Sequence, residues 1–108
     1  MSDPEFLRDL GNLATLKNFI GGTYYQTVWD YYEDDNEIWQ EYCNKANKEG
    51  LILLKRQVDE VLSWEPKNIF DFVEEIIHSG GLVFDDHNEA VEWFTNLSNF
   101  LNEAIKSK

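Results

Sequence analysis

The stretch "DHNEAVEWFTNLSNFLNEAIK", residues 86–106, decides the fold class. Val91, Phe94, Leu97, Leu101 and Ile105 recur at spacings of three and four, which puts them on one face of a helix. Asp86 and Glu89 stand at its start in capping-box spacing, with Asp in place of the usual Ser or Thr. No period-two alternation of comparable length occurs anywhere in the chain, so a sheet has no candidate strands.

Working outward, the same period recurs four times. A first helix is expected from about Asp3 to Ile20, with Phe6, Leu10, Leu13, Leu16, Phe19 and Ile20 inward, Pro4 in its first turn and Gly21-Gly22 as its stop. A second is expected from about Asn36 to Glu49, with Ile38, Trp39, Tyr42, Cys43 and Ala46 as its apolar stripe and Gly50 as its end. A third runs from near Leu51 to near Trp64, with Leu51, Leu54, Val58, Val61 and Leu62 inward and Pro66 beyond it. A fourth is capped by Asn68, buries Ile69, Phe72, Val73, Ile76 and Ile77, and stops at Gly80-Gly81. Leu82 to Phe84 is too short to assign beyond an extended crossing on the core. The expectation is an all-α fold. It is a single compact bundle of about five helices, spanning residues 1–108, with a long aromatic and acidic loop between helices 1 and 2.

The chain has 108 residues, 43% of them hydrophobic, enough for one core. Asp3-Pro4-Glu5-Phe6 is also what adjacent restriction sites encode, so residues 1–6 are open to a second reading as a cloning remnant. No apolar run reaches the roughly 18 residues that a membrane span requires. The start carries no basic region followed by an apolar run, and the single cysteine, Cys43, excludes an internal disulfide. A reducing cytoplasm is therefore the expected compartment. Net charge is −12, which disfavours nucleic acid and anionic membranes and attracts basic partners. The sign is segregated. No lysine or arginine lies between Asn18 and Asn44, nor between Asn68 and Ile105, whereas Lys45, Lys48, Lys55, Arg56 and Lys67 collect in the middle.

Motifs for catalysis fail one by one. Cys43 sits on an apolar stripe and reads as a small buried hydrophobe. His78 suits a helix C-terminus, where a cation is favoured. Asp85, Asp86 and His87 offer metal ligands, but consecutive residues at a helix start diverge and no second cluster supports them. The acidic run from Asp30 to Glu41 lacks the glycine and alternate ligands of a calcium loop. No phosphate-binding loop occurs. The expectation is a binding protein, not an enzyme, without cofactor or metal.

Residues 21–42, "GGTYYQTVWDYYEDDNEIWQEY", carry seven aromatic rings and six carboxylates without a base. Protein interfaces are anchored by Tyr and Trp and depleted of lysine at their centres. Adjacent rings in Tyr24-Tyr25 and Tyr31-Tyr32 point apart in most local geometries, so one ring of each pair can be buried and the other exposed, the alternative being that all these rings fill a lid over the core.

The segment Ile20 to Trp29, "IGGTYYQTVW", followed by acids and "WQEY", resembles the α-helical immunity proteins of bacterial contact-dependent growth inhibition systems (the CdiI family). Tyr24, Tyr25 and Trp29 match aromatic positions of the family motif, Gly22 the preceding glycine, and Gly80 or Gly81, Val83-Phe84 and Asp85-Asp86 a later glycine, aromatic and acidic piece. Gln26, Thr27 and Val28 depart from the His, Gln and Asp of that motif. The resemblance implies a non-enzymatic inhibitor of the C-terminal toxin domain of a CdiA-type effector, commonly a nuclease and often one acting on transfer RNA. Some such toxins depend on elongation factor Tu, so a ternary assembly belongs to the same expectation. Tyr25, Tyr31 and Tyr32 are the expected anchors. Asp30, Glu33, Asp34, Asp35 and Glu37 are expected to steer and pair with the toxin's bases, with Asp85 and Asp86 as a second acidic patch. Reversing Asp34 and Asp35 together is expected to weaken binding without unfolding. The rival reading is an acidic helical adaptor for a basic host protein.

Overall fold

A computed structural model describes residues 13–24, 27–77, 82 and 84–108, with the backbone alone at 75–77. Five helices account for most of them. These are α1 (Ala14–Thr23), α2 (Asp35–Lys45), α3 (Lys48–Leu62), α4 (Pro66–Asp71) and α5 (His87–Lys106). A 3₁₀ turn, Val28–Asp30, interrupts the connection from α1 to α2, and a π-helical turn, Phe72–Ile77, extends α4. No strand occurs among the described residues, and the fold is an all-α bundle. Residues 3–12 of the expected first helix, Gly80-Gly81 and Val83 lie outside the described residues.

The long helices α3 and α5 share the largest interface, and α4 packs along α5 beside them. From α3, Leu51, Leu54, Val58 and Val61 are fully buried, and from α5, Phe94, Leu97 and Leu101 meet them. Ser98 and Asp59 join these helices, the Ser98 hydroxyl donating to Asp59 Oδ1 at 2.6 Å while Lys55 Nζ holds Oδ2 at 2.7 Å. Gln57, buried on α3, accepts the Leu16 backbone N–H at 2.8 Å and so satisfies a donor that α1's first turn leaves open. Leu82 and Phe84 are buried, consistent with a crossing packed on the core.

Helix boundaries needed correction at three places. Gly21-Gly22 does not stop α1, which continues to Thr23 and closes with Tyr24 N–H on the Ile20 carbonyl at 2.8 Å. Tyr24 lies four residues after Ile20 on the buried face, and both are 0% exposed. Burying a tyrosine ring outweighs the roughly 1 kcal/mol that each helical glycine costs. The second helix starts at Asp35 and ends at Lys45 rather than Glu49, because Ala46 and Asn47 are extended and Asn47 caps α3. Asn47 Oδ1 accepts the Gly50 N–H at 2.7 Å, so Gly50 begins a helix instead of ending one. A Cβ on Gly50 would sit 3.2 Å from that cap oxygen. Finally, α4 starts at Pro66, whose fixed φ suits a first turn, and not at an Asn68 cap. The Asp86 cap on α5 is as expected, its side chain accepting the Glu89 N–H at 2.8 Å.

Candidate functional site

The connection from α1 to α2 is built on Tyr24. Its ring is wedged edge-on against Trp93 of α5 (centroids 5.5 Å apart), Phe19 of α1 (6.5 Å) and Trp29 (6.0 Å). Trp93 also packs against Trp39 of α2 and Phe84, so one aromatic cluster ties α1, α2, α5 and both flanking connections together. Such edge contacts contribute about 0.5–1.5 kcal/mol each beyond area burial. The Tyr24 hydroxyl donates to Asp35 Oδ1, and the Trp93 indole N–H reaches the same oxygen at 3.3 Å. Burial, then the Asp35 carboxylate, push the Tyr24 phenol far above its ordinary range, so it remains a donor throughout physiological pH.

Beyond Tyr24 the chain makes its 3₁₀ turn with Val28 fully buried beneath it. That anchor turns Trp29 and Tyr31 outward. Trp29 is 45% exposed and Tyr31 72% exposed, with Asp30 exposed between them. Exposed Glu33, Asp34, Asn36 and Glu37 follow directly. Large rings standing out of a field of one sign make a surface fitted to a cationic partner.

The expected site residues therefore divide. Asp30, Tyr31, Glu33, Asp34 and Glu37 lie together on this exposed ridge, whereas Tyr25 lies outside the described residues. Tyr32 is half-buried and its hydroxyl donates to the Glu41 carboxylate, which that donation and Lys45 hold below the usual carboxylate range. Asp35 is partly buried and turned to Tyr24 and Trp93, so it serves the fold. Asp34 caps α2 by accepting the Glu37 N–H at 3.1 Å, and Glu37 Oε1 accepts the Glu33 N–H at 3.1 Å. Reversing Asp34 and Asp35 would thus remove a helix cap and the Tyr24 acceptor, contrary to the expectation that it leaves the fold intact. Asp85 and Asp86 are exposed at the start of α5, with Asp86 engaged as its cap. Trp29, absent from the expected anchors, is exposed at the start of the ridge. The sequence offered it as one of the seven rings, but its outward direction depends on the three-residue 3₁₀ turn, which no period announces.

Elsewhere the chemistry is quiet. Burial pushes the Cys43 thiol up, and Lys108 offsets this only in part, so the group is a poor nucleophile. His87 packs at a tilt against Phe70, ring centroids 5.1 Å apart. Among the described residues no three His, Cys, Asp or Glu side chains are grouped to hold a metal. A cleft of about 400 Å³ between α1 and α2 is lined by Gly22, Tyr32, Ile38, Glu41, Tyr42 and Lys45. Among the described residues no helix is long and apolar enough to cross a membrane.

Fold and site together define a small all-α domain with one acidic, aromatic ridge. No protein-family model matches the chain, and neither curated proteins nor solved structures give a significant match.

Proposed function

We propose that this chain is an immunity protein of the contact-dependent growth inhibition type, binding and neutralising the basic C-terminal toxin domain of a CdiA-type effector in the cytoplasm. The observation that carries the reading is the ridge from Trp29 to Glu37. Two rings are 45% and 72% exposed, and every charged residue of the segment is acidic. A nuclease must carry a basic cleft for phosphates, and an acidic ridge with ring anchors is its physical complement. Charge would speed encounter, while buried rings would supply residence time. In this reading the chain acts by occupancy, without catalysis or cofactor.

The test is co-expression with the C-terminal domain encoded by the gene immediately upstream. The expected result is growth rescue and a complex that survives gel filtration. A non-toxic upstream product, or a toxin that this chain neither binds nor neutralises, would remove the proposal.

A further inference from the structure

The helix α3 has two apolar faces. Leu51, Leu54, Val58 and Val61 are spent on the core, each 0% exposed. On the opposite side Ile52 and Leu53 are 40% and 43% exposed, the large exposed aliphatics among the described residues. Along the same outer stripe Glu49 precedes them and Arg56 follows, with Lys48 and Glu60 further out, all exposed. These positions follow one another at spacings of three and four, so they form one continuous strip.

The signs on that strip are ordered. Glu49 lies three residues before Ile52, and Arg56 three residues after Leu53. A second α3 laid antiparallel across the Ile52-Leu53 centre sets Glu49 against Arg56 of the second copy, and Arg56 against Glu49. Lys48 and Glu60 then come within about one helical turn of each other, again with opposite signs. A parallel arrangement sets like against like at both positions. The strip is thus complementary to itself under a two-fold axis, which is what an isologous contact requires. It is also placed where a second copy can approach. Net charge of −12 repels a copy over most of the surface, while the basic residues concentrate between Lys45 and Lys67, on and around α3.

We propose that the outer face of α3 is a self-association surface, on which a second copy of this chain docks through antiparallel α3 helices. The occupant is the same chain, held by Ile52 and Leu53 at the centre and by two symmetric Glu49–Arg56 pairs. A single helix pair buries less than the roughly 1,200 Å² of a standard interface, so the dimer is weak. The contact uses none of the residues Trp29–Glu37 and stands independently of the function proposed for that ridge.

Sedimentation equilibrium of the full chain, from about 10 µM to about 1 mM, tests this across the concentrations where a weak dimer fills. Wild type should pass from monomer to dimer, and Leu53→Glu should remain monomeric. Glu49→Arg alone, or Arg56→Glu alone, should weaken association at least about tenfold through like-charge contact. The double variant Glu49→Arg/Arg56→Glu should recover it, since exchanging both signs preserves every pair. Circular dichroism melting of each variant separates loss of association from loss of fold. A chain that stays monomeric throughout overturns the proposal, and so does a dimer indifferent to Leu53→Glu. A double variant as defective as the singles overturns the antiparallel pairing. A dimer lost on removal of residues 1–12, yet unaffected by the α3 changes, assigns the contact to that segment instead.

Discussion

The Tyr24 hydroxyl and the Asp35 carboxylate meet at 2.5 Å, joining the end of α1 to the start of α2. The ring is 0% exposed, so its hydroxyl has no water to turn to. Asp35 also takes the Trp93 indole N–H, and one carboxylate oxygen thereby fixes three elements. Removing the acceptor should cost more than removing the donor. Tyr24→Phe should destabilise by about 1.5 kcal/mol, and Asp35→Ala by about 3 kcal/mol, because the second leaves two donors unpaired. Urea denaturation of both and of the double variant should give a coupling above about 1 kcal/mol. Additive effects would mean that the contact contributes no net stability.

The glycines give a second, opposite expectation. Gly21 and Gly22 are exposed within α1, a Cβ on either meets nothing within 4 Å, and neither backbone is left-handed. Nothing in the fold requires them. Gly21→Ala and Gly22→Ala should each stabilise by about 0.5–1 kcal/mol, raising Tm by roughly 3–6 °C. Gly50→Ala should gain nothing or lose, since the added methyl meets Asn47 Oδ1 at 3.2 Å. Thermal melts of the three single variants separate the two classes.

Those glycines also mark where the sequence misleads. Among the described residues periodicity located the helix cores, because burial of residues such as Leu54, Val58, Phe94 and Leu97 is what creates the period. Boundaries depend on single contacts. Gly21-Gly22 carries the local signature of a stop, and only the burial of Tyr24, set by Trp93 nearly seventy residues later, overrides it. Gly50 carries the same signature but serves the Asn47 cap. The acidic and aromatic ridge was legible as composition. Its division into Asp35 for the fold and Asp30, Tyr31 and Glu33 for solvent was not, since adjacent residues of one type differ only in which way a short turn points them.

Asp59 should give the bundle an acid-sensitive seam. Burial raises its carboxyl, but the bonds from Lys55 and Ser98 and the Lys55 charge outweigh this and hold it below the usual range. A carboxylate depressed in the folded state adds stability that is complete above its unfolded value and is lost as pH falls through the folded one. The α3–α5 contact should therefore weaken below about pH 4, near the ordinary Asp value. Ser98→Ala should reduce the pH-dependent part, and Asp59→Asn should remove it. Chemical denaturation at stepped pH values reads this directly, and an Asp59→Asn profile that overlays wild type would dismiss the seam.

The ridge itself should separate binding from folding. Tyr31 is 72% exposed, so Tyr31→Ala should leave the bundle folded, at a cost of no more than about 1 kcal/mol. As an anchor it should cost at least about 2 kcal/mol of affinity for the proposed toxin partner, roughly thirtyfold. Trp29→Ala should behave likewise for binding, with a larger effect on folding because its ring rests on Tyr24 at 6.0 Å. Asp30→Lys with Glu33→Lys tests the charge without touching the Asp34 cap or the Asp35 acceptor. That pair should slow association and flatten its salt dependence while dissociation changes little, the signature of steering by peripheral charge. Calorimetry and surface-immobilised kinetics at two salt concentrations resolve these effects. Unchanged affinity in Tyr31→Ala, together with an unchanged association rate in the lysine pair, would move the partner to another face of the bundle.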